Sequence, residues 1–333
     1  MDKAQGDTYC SCGPGALVDA NAEEYPVKIC VLGAGALGCA IGAALSEAGS
    51  EVWLVNRSQA HVAAMQADGL TLVTPLGERR VEVNAATSCA EVGVVDLVIV
   101  LVKSFHTREA IAGAAPLIGE HTVVLSLQNG LGHEDVLAEF VGRQRVMTGK
   151  TYVGGVLLGP GRIISGTADR QTSIGELDGR VSERALAIAA EFNRAGLATT
   201  VSDNIVGTVW DKLLVNVATG ALSAITRLPY SLLYQVPELK ATALAAVAEA
   251  MAVANAVGVR LSFTDPEQPW LRAGVGLPHD FKASMLQSLE KGSITEIDFV
   301  NGAVVAEGQR RGVPTPVNAT LVACVKGIEK GLT

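Results

Sequence analysis

The residues of this chain best placed to do chemistry fall into two groups far apart in the sequence. The first is Gly33-Ala34-Gly35-Ala36-Leu37-Gly38, three glycines at the spacing G-x-G-x-x-G between an apolar run, Val27–Leu32, and a helical one, Ala36–Ala48. Between a strand and a helix these glycines have separate duties. Gly33 permits a tight turn, Gly35 lets a pyrophosphate approach the backbone, and Gly38 lets the helix pack close to the strand. The helix N-terminus then offers unpaired N–H groups to the phosphates. The chemistry is dinucleotide binding. The second group begins with Lys212 and Asn216, which are four residues apart in Trp210-Asp-Lys212-Leu-Leu-Val-Asn216 and share one face of a predicted helix. In a helix otherwise made of Leu, Val and Ala they form a polar strip, although a Lys at the solvent edge of an amphipathic helix reads the same way. Ser284 and, after it, Glu296 and Asp298 form a further polar cluster. Acids favoured at a helix N-terminus are the alternative for both carboxylates, and suffice for Asp298.

The elements that must position these groups are legible in outline. Glu51–Val55 reads as a second strand ending at Asn56 and Arg57. A site selective for NAD usually ends this strand in a carboxylate, which accepts from the ribose hydroxyls and would repel a 2′-phosphate. Here Arg57 offers a guanidinium instead, which favours NADPH. Gly69–Val73 and Arg79–Val83 read as a hairpin inserted into the sheet, and Val94–Val102 and His121–Leu127 as buried strands. Between the last two lies a helix around Thr107–Ala115. The strand ends Lys103 and Asn129 fall where a doubly wound sheet holds its ligands.

From Thr151 to about Val201 short strands are expected to extend the sheet, with one helix near Ser182–Ala195. After Asp203 the pattern is helical: Ile205–Ala224, Pro237–Val257, Asp280–Glu290, Thr295–Arg311 and Ala319–Lys330. The fold class is therefore α/β, an N-terminal Rossmann-type doubly wound sheet followed by an all-helical C-terminal domain, with a site in the cleft between them. Residues 1–26 read as a flexible extension, 27–202 as the NADP-binding domain and 203–333 as the substrate and catalytic domain.

Composition narrows the class. Hydrophobic residues make up 49% and charged ones 18%, which suits a globular chain with ample core. A net charge of −8 and the lack of a polybasic run argue against nucleic acid as a partner. The cysteines form no C-x-x-C pair, and Cys10 with Cys12 lacks companion ligands, so no metal site is expected. Scattered thiols and the absence of a secretory pattern point to a cytoplasmic setting. Ala241–Val257 is apolar but carries Glu249 and Asn255, so it reads as a core or subunit-interface helix of a possible homodimer, not a membrane span. His133-Glu134-Asp135 reads as a helix start, not as a catalytic histidine.

The glycine turn, Lys103, Gln128-Asn129-Gly130, Trp-x-Lys-x-x-x-Asn at 210–216 and Ser-Met-Leu-Gln…Thr-Glu-Ile-Asp-x-x-Asn-Gly at 284–302 recur in this order. In these motifs the chain resembles the ketopantoate reductases (2-dehydropantoate 2-reductases), over about residues 27–330. The resemblance implies NADPH-dependent reduction of a 2-oxo acid to a 2-hydroxy acid in pantothenate biosynthesis. It implies Lys212 as general acid, with Glu296 at the cofactor side of the site and able to orient it. Asn129 and Lys103 would lie near the nicotinamide and its ribose, and Asn216 and Ser284 at substrate positions, with Asn129 beside them. The chain departs from the family at Gly220, Tyr230 and Phe281, where side-chain amides are usual or known, and at Ser288, often Asp. Losing amides alters what a pocket can satisfy: Gly220 would enlarge it for a bulkier 2-oxo acid, or a water would replace the missing amide. A related β-hydroxyacid dehydrogenase and a non-catalytic NADPH-binding sensor are the alternatives.

Overall fold

The computed structural model describes residues 27–167 and 170–332, so the expected extension and its Cys10 and Cys12 lie outside the described residues. Its strands are β1 (Lys28–Leu32), β2 (Glu51–Val55), β3 (Leu70–Thr74), β4 (Gly77–Val81), β5 (Asn84–Ala86), β6 (Leu97–Val100), β7 (Val123–Ser126), β8 (Val146–Thr151), β9 (Gly154–Gly159), β10 (Arg162–Gly166), β11 (Thr172–Glu176) and β12 (Thr199–Val201). The first helices are α1 (Ala36–Glu47), α2 (Gln59–Asp68), α3 (Thr107–Ala112), α4 (His133–Val141) and α5 (Glu183–Arg194).

Eight strands form one sheet in the order β12-β11-β8-β7-β6-β1-β2-β5. Its centre is parallel, with Ile29 beside Val52 on one side and Leu97 on the other. All residues of β6 and β7 are buried, which is why they read as unbroken apolar runs: helices cover both faces. β11 runs antiparallel to β8, so the last two strands depart from the parallel pattern. The hairpin β3–β4 does not enter this sheet. It joins β9 and β10 in a separate four-stranded sheet, ordered β4-β3-β10-β9. The reason is long-range: β3 pairs in parallel with β10, and Leu70, Leu72 and Ile163 of these strands join the core beneath α1. The place beside β2 goes to the short β5.

After residue 202 the chain is helical: α6 (Ile205–Thr226), α7 (Tyr230–Leu233), α8 (Pro237–Val257), α9 (Glu267–Ala273), α10 (Ser284–Glu290), α11 (Asn301–Arg311) and α12 (Pro316–Lys330). α6 is the axis, and Trp210, Leu213, Leu214, Val217, Ala218 and Ala221 bury one side of it in a second core. α6 and α8 are each long and apolar enough to cross a membrane by length and composition, yet their apolar faces pack together in that core. Two expected helices start late. Residues 278–281 form a turn, closed by Phe281 N donating to the carbonyl of Pro278, and Ser231 and Tyr230 donate to the carbonyls of His279 and Phe281, so α10 begins only at Ser284. Thr295 donates from N and Oγ1 to Glu329 at 2.6 and 2.7 Å, which pins a stretch whose only helical part is a single 3-10 turn, Ile297–Phe299, and α11 begins at Asn301.

Glu249 has a structural task in the apolar α8. Its carboxylate accepts from the amides of Val317 and Asn318 at 2.8 and 2.9 Å, capping the first turn of α12. Glu249→Ala leaves two helix amides without that acceptor and is expected to destabilise the fold by about 2 kcal/mol. A lowered urea midpoint at unchanged m-value is the result that checks it.

Candidate active site

At the carboxyl ends of β1, β2, β6 and β7 lies a cavity of about 700 Å³. The turn after β1 forms its floor. Gly33 adopts φ +105°, and a Cβ there would stand 2.4 Å from the backbone nitrogen of Val102. At Gly38 a Cβ would meet the carbonyl oxygen of Gly33 at 2.5 Å, whereas at Gly35 it would meet nothing within 4 Å. The backbone at Gly35 is therefore open to a ligand, and Ala36, Leu37 and Gly38 at the start of α1 line the same cavity. Ala34 differs from expectation. It is fully buried, and its carbonyl accepts from Asn56 Nδ2 at 2.7 Å, so it holds the turn without reaching the cavity.

Arg57 lines the cavity but is already engaged. Its guanidinium lies 3.1 Å from the exposed Glu109 and 2.9 Å from Nε2 of the half-buried His106. Asn56 uses both ends of its amide, on Ala34 and on the amide of Ser58, which leaves Arg57 and its two neighbours to meet the adenosine end of a dinucleotide.

Lys103, Asn129 and Glu296 also line the cavity, Glu296 reaching it from the helical half of the chain. Glu296 Oε1 accepts from Ser104 Oγ at 2.6 Å and from Ser104 N at 3.0 Å, and Oε2 lies 3.4 Å from Lys103 Nζ. Ser104 is a site residue that the sequence analysis did not single out. Its signal was adjacency to Lys103 beyond the carboxyl end of β6. A second seam runs alongside: Leu131 N donates to Phe299 O at 3.0 Å, and a Cβ at Gly130, φ +97°, would meet that oxygen at 2.4 Å. His133 is buried, bonds the carbonyl of Asn129 at 2.9 Å and stacks on Phe299, which makes it a support for the Gln-Asn-Gly turn.

Lys212, Asn216 and Ser284 are not among the residues lining this cavity. Lys212 sits on α6 with Nζ donating to the carbonyl of Thr151 at 2.7 Å and 5.7 Å from the centre of the Tyr152 ring. Part of its side chain reaches solvent, yet protein atoms surround the ammonium. Burial pushes its pKa down to about 8, the Lys150 ammonium adds to the fall, and the Glu296 carboxylate opposes it. Lys212 and Glu296 are thus coupled across the cleft. Asn216 is half-buried one turn along α6, and Ser284 is exposed at the first turn of α10.

The departures form a packed block. A Cβ at the buried Gly220 would lie 3.4 Å from the sulfur and terminal methyl of Met285, so the space expected there is filled. Tyr230 is buried, hydrogen-bonds Thr219 at 2.8 Å and packs edge-on to Phe281, ring centres 5.2 Å apart. Sulfur and aromatic surface stand where amides were expected.

A Rossmann-type sheet whose carboxyl-edge cavity is also lined by Glu296 of the helical half has the architecture of a Rossmann-type oxidoreductase. Comparison places it further. The model of the family described as "Ketopantoate reductase PanE/ApbA" matches residues 29–179, and that of its C-terminal part matches 204–329. The chain belongs to this family. It is 34% identical over 304 residues to the 2-dehydropantoate 2-reductase of Halobacterium salinarum, covering 90% of this chain and 98% of that one. Among solved structures it is similar to a PanE/ApbA family ketopantoate reductase from Ralstonia eutropha JMP134, at TM-score 0.84 and 35% identity, covering 92% and 99%. It is also similar to a D-mandelate dehydrogenase solved with NADH and anilino(oxo)acetate, at TM-score 0.84 and 29% identity, covering 92% and 99%. The protein is a reductase of the ketopantoate reductase family.

Ser104→Ala removes the 2.6 Å bond to Glu296 and leaves the carboxylate with fewer donors in a partly buried place. The expected cost is about 1–3 kcal/mol of stability. Differential scanning calorimetry checks it, and an unchanged melting temperature would show that solvent supplies the missing donor.

Proposed function

We propose that the protein reduces a 2-oxo acid to the 2-hydroxy acid with NADPH, Lys212 acting as general acid, and that ketopantoate is the substrate to test first. The observation that carries this reading is the half-buried Lys212, its acidity raised to within reach of neutral pH and its ammonium coupled to Glu296 beside the glycine-turn cavity. The turn fits a pyrophosphate, because Gly35 presents backbone with free space above it and the first turn of α1 carries no side-chain cap. NADPH, when bound, supplies the hydride. The chain's own residues do the rest. Thr151 O orients the Lys212 ammonium, whose Nζ–H delivers a proton to the substrate's carbonyl oxygen and stabilises the charge that develops there. Glu296 keeps a negative charge near that ammonium and holds Lys103 at the cofactor side. Asn216 and Ser284 stand on the faces of α6 and α10 that we assign to the substrate.

A second reading of the substrate rests on the block at Gly220, Tyr230, Phe281 and Met285. Apolar and aromatic surface satisfies a phenyl or branched alkyl group better than a hydroxyl, so a bulky apolar 2-oxo acid is the competitor of ketopantoate. NADPH oxidation with ketopantoate, phenylglyoxylate and branched 2-oxo acids decides between them, and no turnover with any of these acids would overturn the reading.

Lys212→Ala is expected to lower kcat by roughly 10²–10⁴-fold without loss of a cooperative melt. For the native protein, the donor is the protonated ammonium, so kcat/KM for reduction should fall as pH rises through about 8. A profile flat to well above that pH would exclude Lys212 as the acid. At the other end of the cavity, Arg57→Ala is expected to raise KM for NADPH roughly tenfold or more while sparing NADH. Glu109→Gln should act oppositely, because it frees Arg57 and removes a carboxylate that repels the 2′-phosphate. Cofactor titrations with both nucleotides check the pair of variants.

A further inference from the structure

A second cavity, about 230 Å³, lies beside Lys212 and shares no lining residue with the first. Its polar walls include Lys150, Tyr152, Gln171, Ser173, Asp211 and Arg272. They come from four elements and the segments beside them, and converge for topological reasons. Lys150 on β8 and Ser173 on β11 are direct partners across the antiparallel ladder, so their side chains leave the same face of the sheet. Asp211 stands on α6 immediately before Lys212, and Arg272 on α9 closes the opposite side. Their charges do not cancel. The Asp211 carboxylate is committed to the backbone amide of Ser262, at 3.0 and 3.4 Å. Among the described residues neither Lys150 nor Arg272 has a carboxylate within 4 Å. Two cations and one carboxylate thus face one small cavity, which leaves it with a net positive charge in a chain whose net charge is −8.

We propose that this cavity is an oxyanion site, taking one carboxylate or phosphate group between Lys150 and Arg272 with Ser173 and Gln171 as neutral donors. The geometry sets the class. A guanidinium and an ammonium over a polar floor match an oxyanion, and the volume is below that of sites for drug-sized ligands, so it suits one charged group on a short stem. The site also has a line to the reaction centre. Lys150 and Lys212 both lie against the Tyr152 ring, 5.3 and 5.7 Å from its centre. Lys150 faces Arg272 and Lys212 as like charges and Asp211 as the opposite one, and burial with the Arg272 charge holds its pKa down while Asp211 opposes the shift. A bound oxyanion relieves this crowding and screens Lys150 from Lys212. The anion has two possible sources: the distal acid group of an extended 2-oxo acid, or a separate effector. Only the first rests on the reductase reading above.

Isothermal titration of the full chain with glutarate and, separately, inorganic phosphate tests the site without any turnover. Saturable binding of at least one probe is expected, weakened tenfold or more by Arg272→Met and by Lys150→Met, with Lys150→Arg restoring most of it. Arg272 is exposed, so its variant is expected to fold even where Lys150→Met does not. No binding of either probe, or binding that the Arg272→Met protein retains in full, overturns the proposal. Where binding holds, glutarate competing with the 2-oxo acid in turnover assigns the site to the substrate's far end, and inhibition or activation that is not competitive assigns it to an effector. A failed reductase assay leaves the calorimetry standing, so the two readings fail separately.

Discussion

The Glu296 carboxylate is the point on which both halves of the molecule depend. A carboxylate with a side chain only 14% exposed must find donors, and the segment around it supplies none of those observed. They come from the sheet: the amide and hydroxyl of Ser104 and the ammonium of Lys103. Glu296 can reach them only because residues 295–300 are not regular helix, and they are not because Glu329 of α12 claims the backbone and hydroxyl of Thr295. An acid in α12 thereby aims an acid in the cleft, and the edge of the sheet is fixed against the helical core. The pairing of Leu131 with Phe299 repeats the constraint one loop away.

That arrangement sets the charge on Lys212. Desolvation disfavours the ammonium and so does the neighbouring Lys150, while Glu296 favours it. The net result of the three influences is a pKa lowered to about 8, which suits the general-acid role proposed for Lys212. Thr151 O fixes the direction of the N–H, and it belongs to β8, the strand that also carries Lys150. Orientation and the lesser share of the acidity therefore come from one strand, burial supplies the larger share, and the opposing charge comes from Glu296.

How much of this was legible in the sequence follows from what local spacing encodes. The glycine turn, the apolar strands and the helical half have short-range periodicities, and the strand ends at Lys103 and Asn129 follow from them. Pairing between distant segments has no such signature. Nothing near residues 69–83 says that β3 will lie beside β10, eighty and more residues away, so the hairpin was placed in the wrong sheet. The helix expected over Thr295–Arg311 was broken by Glu329, a partner 34 residues on. Ser104 and Glu109 are ordinary residues until the fold sets one against Glu296 and the other against Arg57. Gly220 is the sharpest case, since a missing side chain read as free space and Met285, invisible at that distance in sequence, fills it.

This last point separates the reaction from its specificity. The groups proposed to move the proton and hold the cofactor sit at places the fold dictates: strand ends, the first turn of α1 and one face of α6. The wall around Gly220 is made instead where α6, α7 and α10 meet, and its composition is free to vary as long as the volume is filled. Met285 against Gly220 and Tyr230 against Phe281 fill it with side chains that donate no hydrogen bond into the cleft except through the Tyr230 hydroxyl, already engaged with Thr219. A substrate hydroxyl placed against that wall would lose its water and gain no partner, a penalty of about 1–3 kcal/mol. An apolar group in the same place would gain by its burial. In the function proposed above, that wall selects on the side chain of the 2-oxo acid, while Lys212 responds to its carbonyl.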